Sequence, residues 1–309
     1  MTSQTPTPRD TSAVSSTPSK GSTTTSEGRF EVEGHHGVLV GHVDQIEAST
    51  GLFFAHATGF CKEVWLPIVD RLREAAPDLG MIIWDSAAHG ESAAGSPPYD
   101  WWTFGEDVLA IVDSFDFPRR VAVGHSMGAA ALAMAEILRP GSFAGLVLIE
   151  PITFPPPSGR VDHALVEGAL RRRGTFVSRE SAMQNFASKS IFGRWDERVL
   201  DRYVTGGLKE SADGWSLRCL PEHEAEVYRG GPAHGAYDRL DEINAPVLLL
   251  AGEHSATHGY EFVDELRSRL SEGSSVIVPE AGHFLPMEKP DEVARLIAGF
   301  LDGIGPETP

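Results

Sequence analysis

Short runs of continuous apolar residues alternate with longer stretches that carry apolar side chains at helical spacing. Phe30 to Val32 and Val38 to Val43 predict an antiparallel pair, with His35-His36-Gly37 as the turn. Leu52-Phe53-Phe54-Ala55, Met81-Ile82-Ile83-Trp84 and Val121-Ala122-Val123 predict buried strands, as do Leu146 to Ile149, Val247 to Leu250 and Ser275 to Val278. Between them, Trp65 to Ala75 places Trp65, Ile68, Val69 and Leu72 on one helical face. Phe104 to Phe115 does the same with Val108, Ile111 and Val112, and helices are further expected from Ala129 to Leu138 and from Pro290 to Phe300. Strands that are apolar on both faces, separated by helices, imply an α/β fold: a mostly parallel central sheet with helices on both faces.

The rhythm breaks twice. Residues 1–28 are dominated by Ser, Thr, Pro and Gly and predict a disordered tail, because they offer too little apolar surface to offset ordering entropy. From Ile152 to about Asp238 no buried strand is apparent. Helix-like pieces at Ala164 to Arg172, Ser181 to Phe186 and Arg198 to Val204 predict a helical cap over residues 153–238, inserted into a core formed by 29–152 and 239–305. Such an insertion would roof the strand ends, where open α/β sheets bind ligands. Its aromatics, Phe176, Phe186, Phe192, Trp195, Trp215 and Tyr228, read mainly as lobe core and partly as substrate contacts.

Composition narrows the function. The formal net charge is -18, from 26 Lys+Arg against 44 Asp+Glu, which argues against a nucleic-acid partner. The basic run Arg171-Arg172-Arg173 reads as a solvated helix face. Cys61 and Cys219 read as free thiols in a reducing compartment. No apolar stretch is long enough to span a membrane, and the N-terminus lacks the apolar core of a secretory signal, so a cytoplasmic protein is expected.

The chemistry starts at Gly124-His125-Ser126-Met127-Gly128. This G-x-S-x-G lies between a predicted strand and a predicted helix, the context that strains the serine and exposes its hydroxyl at the end of a sheet. The flanking glycines avoid clashes with the neighbouring strand and helix, and the Met127 N–H opens the helix where developing negative charge is stabilised. A serine needs a base, and that base needs an orienting partner. His283, after the last strand in Gly282-His283-Phe284-Leu285-Pro286, is the base expected. His125 is expected to point away from the nucleophile, His56 and His89 to brace loops, and His254 and His258 to lack a defined partner. The turn His56-Ala57-Thr58-Gly59-Phe60 supplies the second oxyanion donor; Thr58 N–H is the first choice, ahead of Gly59 and Phe60.

These segments, together with Trp65 and Asp85 through Ser92, resemble the α/β-hydrolase superfamily, in particular its capped esterase, lactonase and dehalogenase-like members. The resemblance covers about Arg29 to Leu301 outside the insertion. Ala57 stands where the family's H-G-x-x segment has glycine, and Ala88 and His89 depart from its D-x-x-G-x-G-x-S loop. The family usually carries its acid in a G-x-x-D pattern after the strand that follows the insertion. Here Gly252-Glu253-His254-Ser255 puts serine at that position. Some members place the acid after the preceding strand, which here reads Leu148-Ile149-Glu150-Pro151. A carboxylate at the end of an apolar strand needs a partner, so Glu150 is the acid expected, with Glu253 as the alternative and a helix cap or structural ion pair as the competing role for Glu150.

The resemblance then implies a serine hydrolase acting on an ester, lactone or thioester with an apolar acyl group, through Ser126, His283 and Glu150, without metal or organic cofactor. Hydrolysis of a carbon–carbon bond by the same triad, or slow-turnover ligand sensing, are the alternatives.

Overall fold

The computed structural model describes residues 28–155 and 159–305. The expected tail therefore lies outside the described residues except for Gly28, and so do Pro156 and Pro157. The strands of the main sheet are β1 (Gly28–Gly34), β2 (Gly37–Asp44), β3 (Thr50–Ala55), β4 (Leu79–Trp84), β5 (Arg119–His125) and β6 (Gly145–Ile149). After the insertion, which holds β7 (Thr175–Phe176), β8 (Leu208–Ser211) and β9 (Gly214–Leu217), come β10 (Val247–Gly252) and β11 (Gly273–Val278). The eight strands order as β1-β2-β4-β3-β5-β6-β10-β11. β1 and β2 form the expected antiparallel pair at one edge, β2 runs antiparallel to β4, and every later pairing is parallel.

Strand composition explains the layering. In β3, Leu52 and Phe54 face one layer while Phe53 and Ala55 face the other, and all four are buried. A strand covered on both sides has no polar face to show, so it reads as a continuous apolar run. One layer contains α1 (Leu66–Ala75) and α10 (Pro290–Gly303), through Leu72 and Ile297. The other contains α2 (Trp101–Asp113), α3 (Met127–Leu138) and α8 (Tyr260–Arg269), through Ile111, Leu132 and Leu266. α2 begins three residues before the start expected at Phe104 because the Asp100 side chain caps it, accepting from Trp102 N at 3.0 Å. Residues Lys62–Trp65 form a 3₁₀ turn that feeds α1 at Leu66, with Pro67 in the first turn.

The segment between β6 and β10 corrects an expectation. It holds α4 (Ala164–Leu170), α5 (Arg179–Ala187) and α6 (Glu197–Gly207), close to the helical pieces predicted, but also α7 (Pro221–Gly230). It also holds a three-stranded antiparallel sheet of order β7-β9-β8. Those strands are two to four residues long and largely exposed or half-buried, so they carry no apolar run for a sequence reading to find. α7 shows a Pro-led start with Glu222 and Glu224 in its first turn but few apolar positions. The segment rests on the strand ends through Trp195 and Tyr203, whose rings lie 5.3 and 5.5 Å from Phe60. Among the described residues no helix is long and apolar enough to cross a membrane.

Candidate active site

Ser126 is the cap residue of α3 and adopts φ 55°, ψ −113°. L-residues rarely take positive φ, and holding one there costs on the order of 1–3 kcal/mol. The surroundings impose it. Ser126 N donates to Ile149 O at 2.9 Å and Ile152 N donates to Ser126 O at 3.3 Å, tying the turn to the end of β6. A Cβ on Gly124 would sit 2.7 Å from Ala129 N, and one on Gly128 would strike the Ala55 carbonyl of β3. Only glycines let strand, turn and helix approach this closely. Ser126 is 7% exposed.

Glu150 follows β6 directly, also at positive φ (49°), and is fully buried. Its Oε1 accepts from Gly252 N at 2.9 Å. Its Oε2 accepts from Ser255 Oγ at 2.6 Å and from His283 Nδ1 at 2.9 Å, and lies 2.8 Å from His258 Nδ1. Burial pushes the Glu150 carboxyl up, but the bonds and charges of His258 and His283 outweigh it and hold the carboxyl well below its ordinary value. The structure thus brings Glu150 and His283 together. Among the described residues it makes no hydrogen bond from the Ser126 hydroxyl to His283. Glu253 is elsewhere: it is exposed, and its Oε2 accepts from Glu280 N at 3.0 Å.

Ser255, at the position where the family carries an acid, donates to Glu150 instead. His258, expected to lack a partner, is 1% exposed and packed on the same carboxylate. Its signal was the donor-rich loop Ser255-Ala256-Thr257-His258 beside a buried carboxylate that needs donors. His125 Nε2 lies 2.8 Å from the His283 carbonyl oxygen and so anchors the backbone of the base. Burial, with the neighbouring His283, pushes His125 down to about 3.

The early loop is braced by two buried neutral histidines. Gly59 N donates to His89 Nε2 at 2.8 Å, and His89 Nδ1 faces Ala87 O at 2.9 Å. Ser86 N donates to His56 Nε2 at 3.0 Å, and His56 Nδ1 faces Ala57 O at 2.8 Å. Burial pushes His56 down to about 4 and His89 to about 3, the state in which Nε2 accepts. Phe60 N donates to Ala57 O at 3.2 Å. The Gly59 and Phe60 N–H groups are therefore committed, whereas Thr58 N and Met127 N donate to no other described residue. Behind this loop, buried Asp85 accepts from Lys62 Nζ at 2.7 Å and from Lys62 N at 2.8 Å.

A cavity of ≈ 220 Å³ opens between this loop and the inserted segment, lined by Thr58, Phe60, Phe186, Phe192, Trp195, Tyr203 and Phe284 and also by the charged Arg172, Lys189 and Glu224. Four of the six aromatics of the inserted segment read from sequence, Phe186, Phe192, Trp195 and Tyr228, line it. Arg172 corrects the reading of the basic run. Arg171 and Arg173 are exposed, but Arg172 is half-buried, paired with Glu224, and donates to Tyr203 Oη at 2.6 Å. Glu224 and Arg172 press on Gly59, where a Cβ would lie 2.5 Å from Glu224 Oε1.

Glu150, His258 and His283 bring metal-ligand atom types within 4.8 Å of one another. Their Nδ1 atoms already converge on Oε2, which also takes Ser255 and, at 3.4 Å, Thr257. A carboxylate has about four acceptor sites over its two oxygens, and these neighbours fill them, so the cluster reads as a hydrogen-bond network.

Comparison with known proteins agrees with this architecture. A similar protein, ACTT2 of Alternaria alternata, described as abhydrolase domain-containing, is 29% identical over 218 residues, covering 59% of this chain and 82% of the relative. The type I acyl-CoA thioesterase mpaH of Penicillium brevicompactum is 30% identical over 232 residues, covering 70% of this chain and 49% of the relative. The crystal structure of E-2-(acetamidomethylene)succinate hydrolase superposes with a TM-score of 0.76 at 19% identity, covering 89% of this chain and 98% of that one. The sequence profile of the alpha/beta hydrolase family matches residues 52–296, and the chain belongs to that family.

Proposed function

We propose that this protein is a serine hydrolase that cleaves an ester, lactone or thioester bond of a small molecule with an apolar acyl group. The observation that carries the reading is the Glu150–His283 pair, 2.9 Å between Oε2 and Nδ1, beside a serine held at φ 55° on the strand-to-helix turn. In this reading His283 Nε2 takes the Ser126 proton as the hydroxyl attacks the carbonyl carbon. The N–H groups of Met127 and Thr58 receive the oxyanion, a reading supported by their lack of other partners and by the commitment of Gly59 and Phe60. Glu150 fixes the His283 tautomer with Nδ1–H toward Oε2 and stabilises the imidazolium that forms. His283 protonates the leaving group and then activates water to release the acyl product. The contact between Ser126 Oγ and His283 closes in the substrate complex, as catalytic hydrogen bonds that are long in free enzymes do.

The aromatic lining of the ≈ 220 Å³ cavity supports an apolar acyl group. The thioesterase name of one relative supports including thioesters among the substrates. A p-nitrophenyl ester series tests the proposal. Short or medium acyl esters are hydrolysed, and Ser126→Ala lowers kcat by about 10⁴-fold or more. Wild-type turnover by the alanine variant would end the proposal.

A further inference from the structure

The Glu150 carboxylate has more donors than a triad uses, and one of them is a second imidazole. His258 lies between β10 and α8, 1% exposed, with the rings of Phe154 and Phe262 at 5.4 and 5.5 Å. Its Nδ1 is 2.8 Å from Glu150 Oε2 and 3.0 Å from Thr257 Oγ1. Its Nε2 is 3.0 Å from the Pro151 carbonyl oxygen. A bare Nδ1 sets its lone pair 2.8 Å from a carboxylate oxygen with no exposure, whereas a protonated Nδ1 makes that contact an ion pair, with its hydrogen bond to Thr257 Oγ1. A carbonyl oxygen only accepts, so Nε2 must donate as well. A neutral ring protonated at Nε2 alone satisfies both nitrogens by taking the Thr257 hydroxyl proton at Nδ1, but only an imidazolium matches the charge of the buried carboxylate beside it. The ring lies 6.2 Å from that of His283 at an interplanar angle of 22°, and both address the same oxygen.

We propose that His258 is a positioning residue: an imidazolium, protonated at both ring nitrogens, that shares Glu150 Oε2 with His283 and sets how strongly the carboxylate stabilises charge on the catalytic ring. The proposal rests on the Ser126–His283–Glu150 reading given above. Three titratable groups face His258: Glu150 from the end of β6, His283 from the loop after β11, and His125 from the end of β5. Phe154 and Phe262, the other ring neighbours, bring no charge. A carboxylate facing two rings favours charge on each, while the first charged ring disfavours charge on the second. His258 therefore keeps Glu150 ionised and buried, yet restrains protonation of His283, which must be neutral to accept the serine proton.

The loop after β10 gives this role its sequence logic. Where the family keeps its acid, this chain has a serine, and the acid sits on β6 instead. The vacated loop supplies donors, Ser255, Thr257 and His258, that converge on the relocated carboxylate. A carboxylate with no exposure requires such compensation, and an imidazolium provides charge as well as a hydrogen bond.

The test is the pH profile of kcat/KM for wild type, His258→Asn and His258→Phe on one p-nitrophenyl ester. Asparagine keeps an N–H toward Glu150 but no charge, and phenylalanine keeps the volume alone. With His258 gone, Glu150 acts undivided on His283, so activity switches on at higher pH. At the pH where wild type reaches half its plateau, each variant is expected about threefold or more below its own plateau. Folded variants whose acid limb coincides with the wild type, or moves to lower pH, overturn the proposal. A second measurement needs neither turnover nor a stable variant. Long-range ¹H–¹⁵N correlation spectra of wild-type imidazoles at neutral pH are expected to show both His258 nitrogens protonated, and a bare nitrogen on that ring overturns the proposal. If instead Ser126→Ala retains full esterase activity, the catalytic reading fails while the protonation state of His258 is still decided by the spectra.

Discussion

Two strand ends in this molecule bury a carboxylate with no solvent exposure, and they use it in opposite ways. Asp85 follows β4 and Glu150 follows β6, and each is fully buried. Asp85 is bound by Lys62 Nζ at 2.7 Å and by the backbone N–H groups of Lys62 and Glu91 at 2.8 and 2.9 Å. Its partners are one lasting cation and fixed amides. Glu150 is bound by one backbone amide, a hydroxyl and two imidazoles. Imidazoles change charge near neutral pH and can turn. Burial raises the energy of both carboxylates, but the company each keeps decides the outcome. Partners that cannot titrate make a strut, which ties the Asp85 loop to the early loop at Lys62. Imidazole partners make the carboxylate, in the proposed reading, the group that orients the catalytic ring.

Exchanging each acid for its amide sharpens this contrast most. Glu150→Gln is expected to lower kcat by about 10²–10⁴-fold while the protein stays folded, because the amide keeps the shape but loses the charge that orients and stabilises His283. Asp85→Asn is expected to do the reverse. It costs about 3 kcal/mol of stability, since removing one partner leaves Lys62 buried with only Glu63 and Glu91 nearby, and its folded fraction keeps kcat within about tenfold. Rates and urea midpoints on both variants check the pair. A catalytic collapse in Asp85→Asn with unchanged stability would merge the two roles.

The legibility of these two regions differed in the sequence for the same physical reasons. Apolar runs such as Leu52–Ala55 revealed the sheet because they are covered on both faces. Gly124 and Gly128 marked the turn because backbone and helix leave no room for a Cβ. Glu150 came from the family resemblance: the usual acid position holds Ser255, the placement found in some members falls on Glu150, and an acid at the end of β6 demanded a partner. What stayed hidden were contacts made across the chain by side chains with no local pattern. His258 meets a carboxylate 108 residues earlier, its Nδ1 being 2.8 Å from Glu150. Arg172, between two exposed arginines, is drawn inward by a glutamate on α7 and a tyrosine on α6. The short strands β7, β8 and β9 escaped because one or both faces stay wet.

Acid stability gives a smaller contrast, spread over the scaffold. Burial pushes His56 and His234 down to about 4, and His89 and His125 down to about 3. Unfolded histidine titrates near ~6.5. Between these values the unfolded chain binds protons that the folded one refuses, so this stability is complete above about 6.5 and is lost as pH falls toward 4. Asp107 opposes it: burial raises it to about 6, so its contribution is present at low pH and fades as pH rises through that value. Four histidines outweigh one aspartate, and Tm is expected to fall by roughly ten degrees between pH 7 and pH 5. A flat Tm over that interval would contradict the buried neutral histidines that brace the early loop.

The smallest expected effect belongs to the acid that stands outside the network. Glu253→Gln removes the charge of an exposed side chain whose Oε2 accepts from Glu280 N at 3.0 Å but keeps an acceptor oxygen, and is expected to change kcat less than about threefold and stability by no more than about 0.5 kcal/mol. A large loss of kcat there would shift the acid from β6 to β10.

Reaction with a fluorophosphonate, followed by digestion and peptide mapping, addresses the nucleophile itself. One phosphonyl group is expected, on the peptide that carries Ser126, formed much more slowly in Glu150→Gln than in wild type. An adduct on a different residue, or equal labelling rates in both proteins, would contradict a serine armed through His283 by the carboxylate at the end of β6.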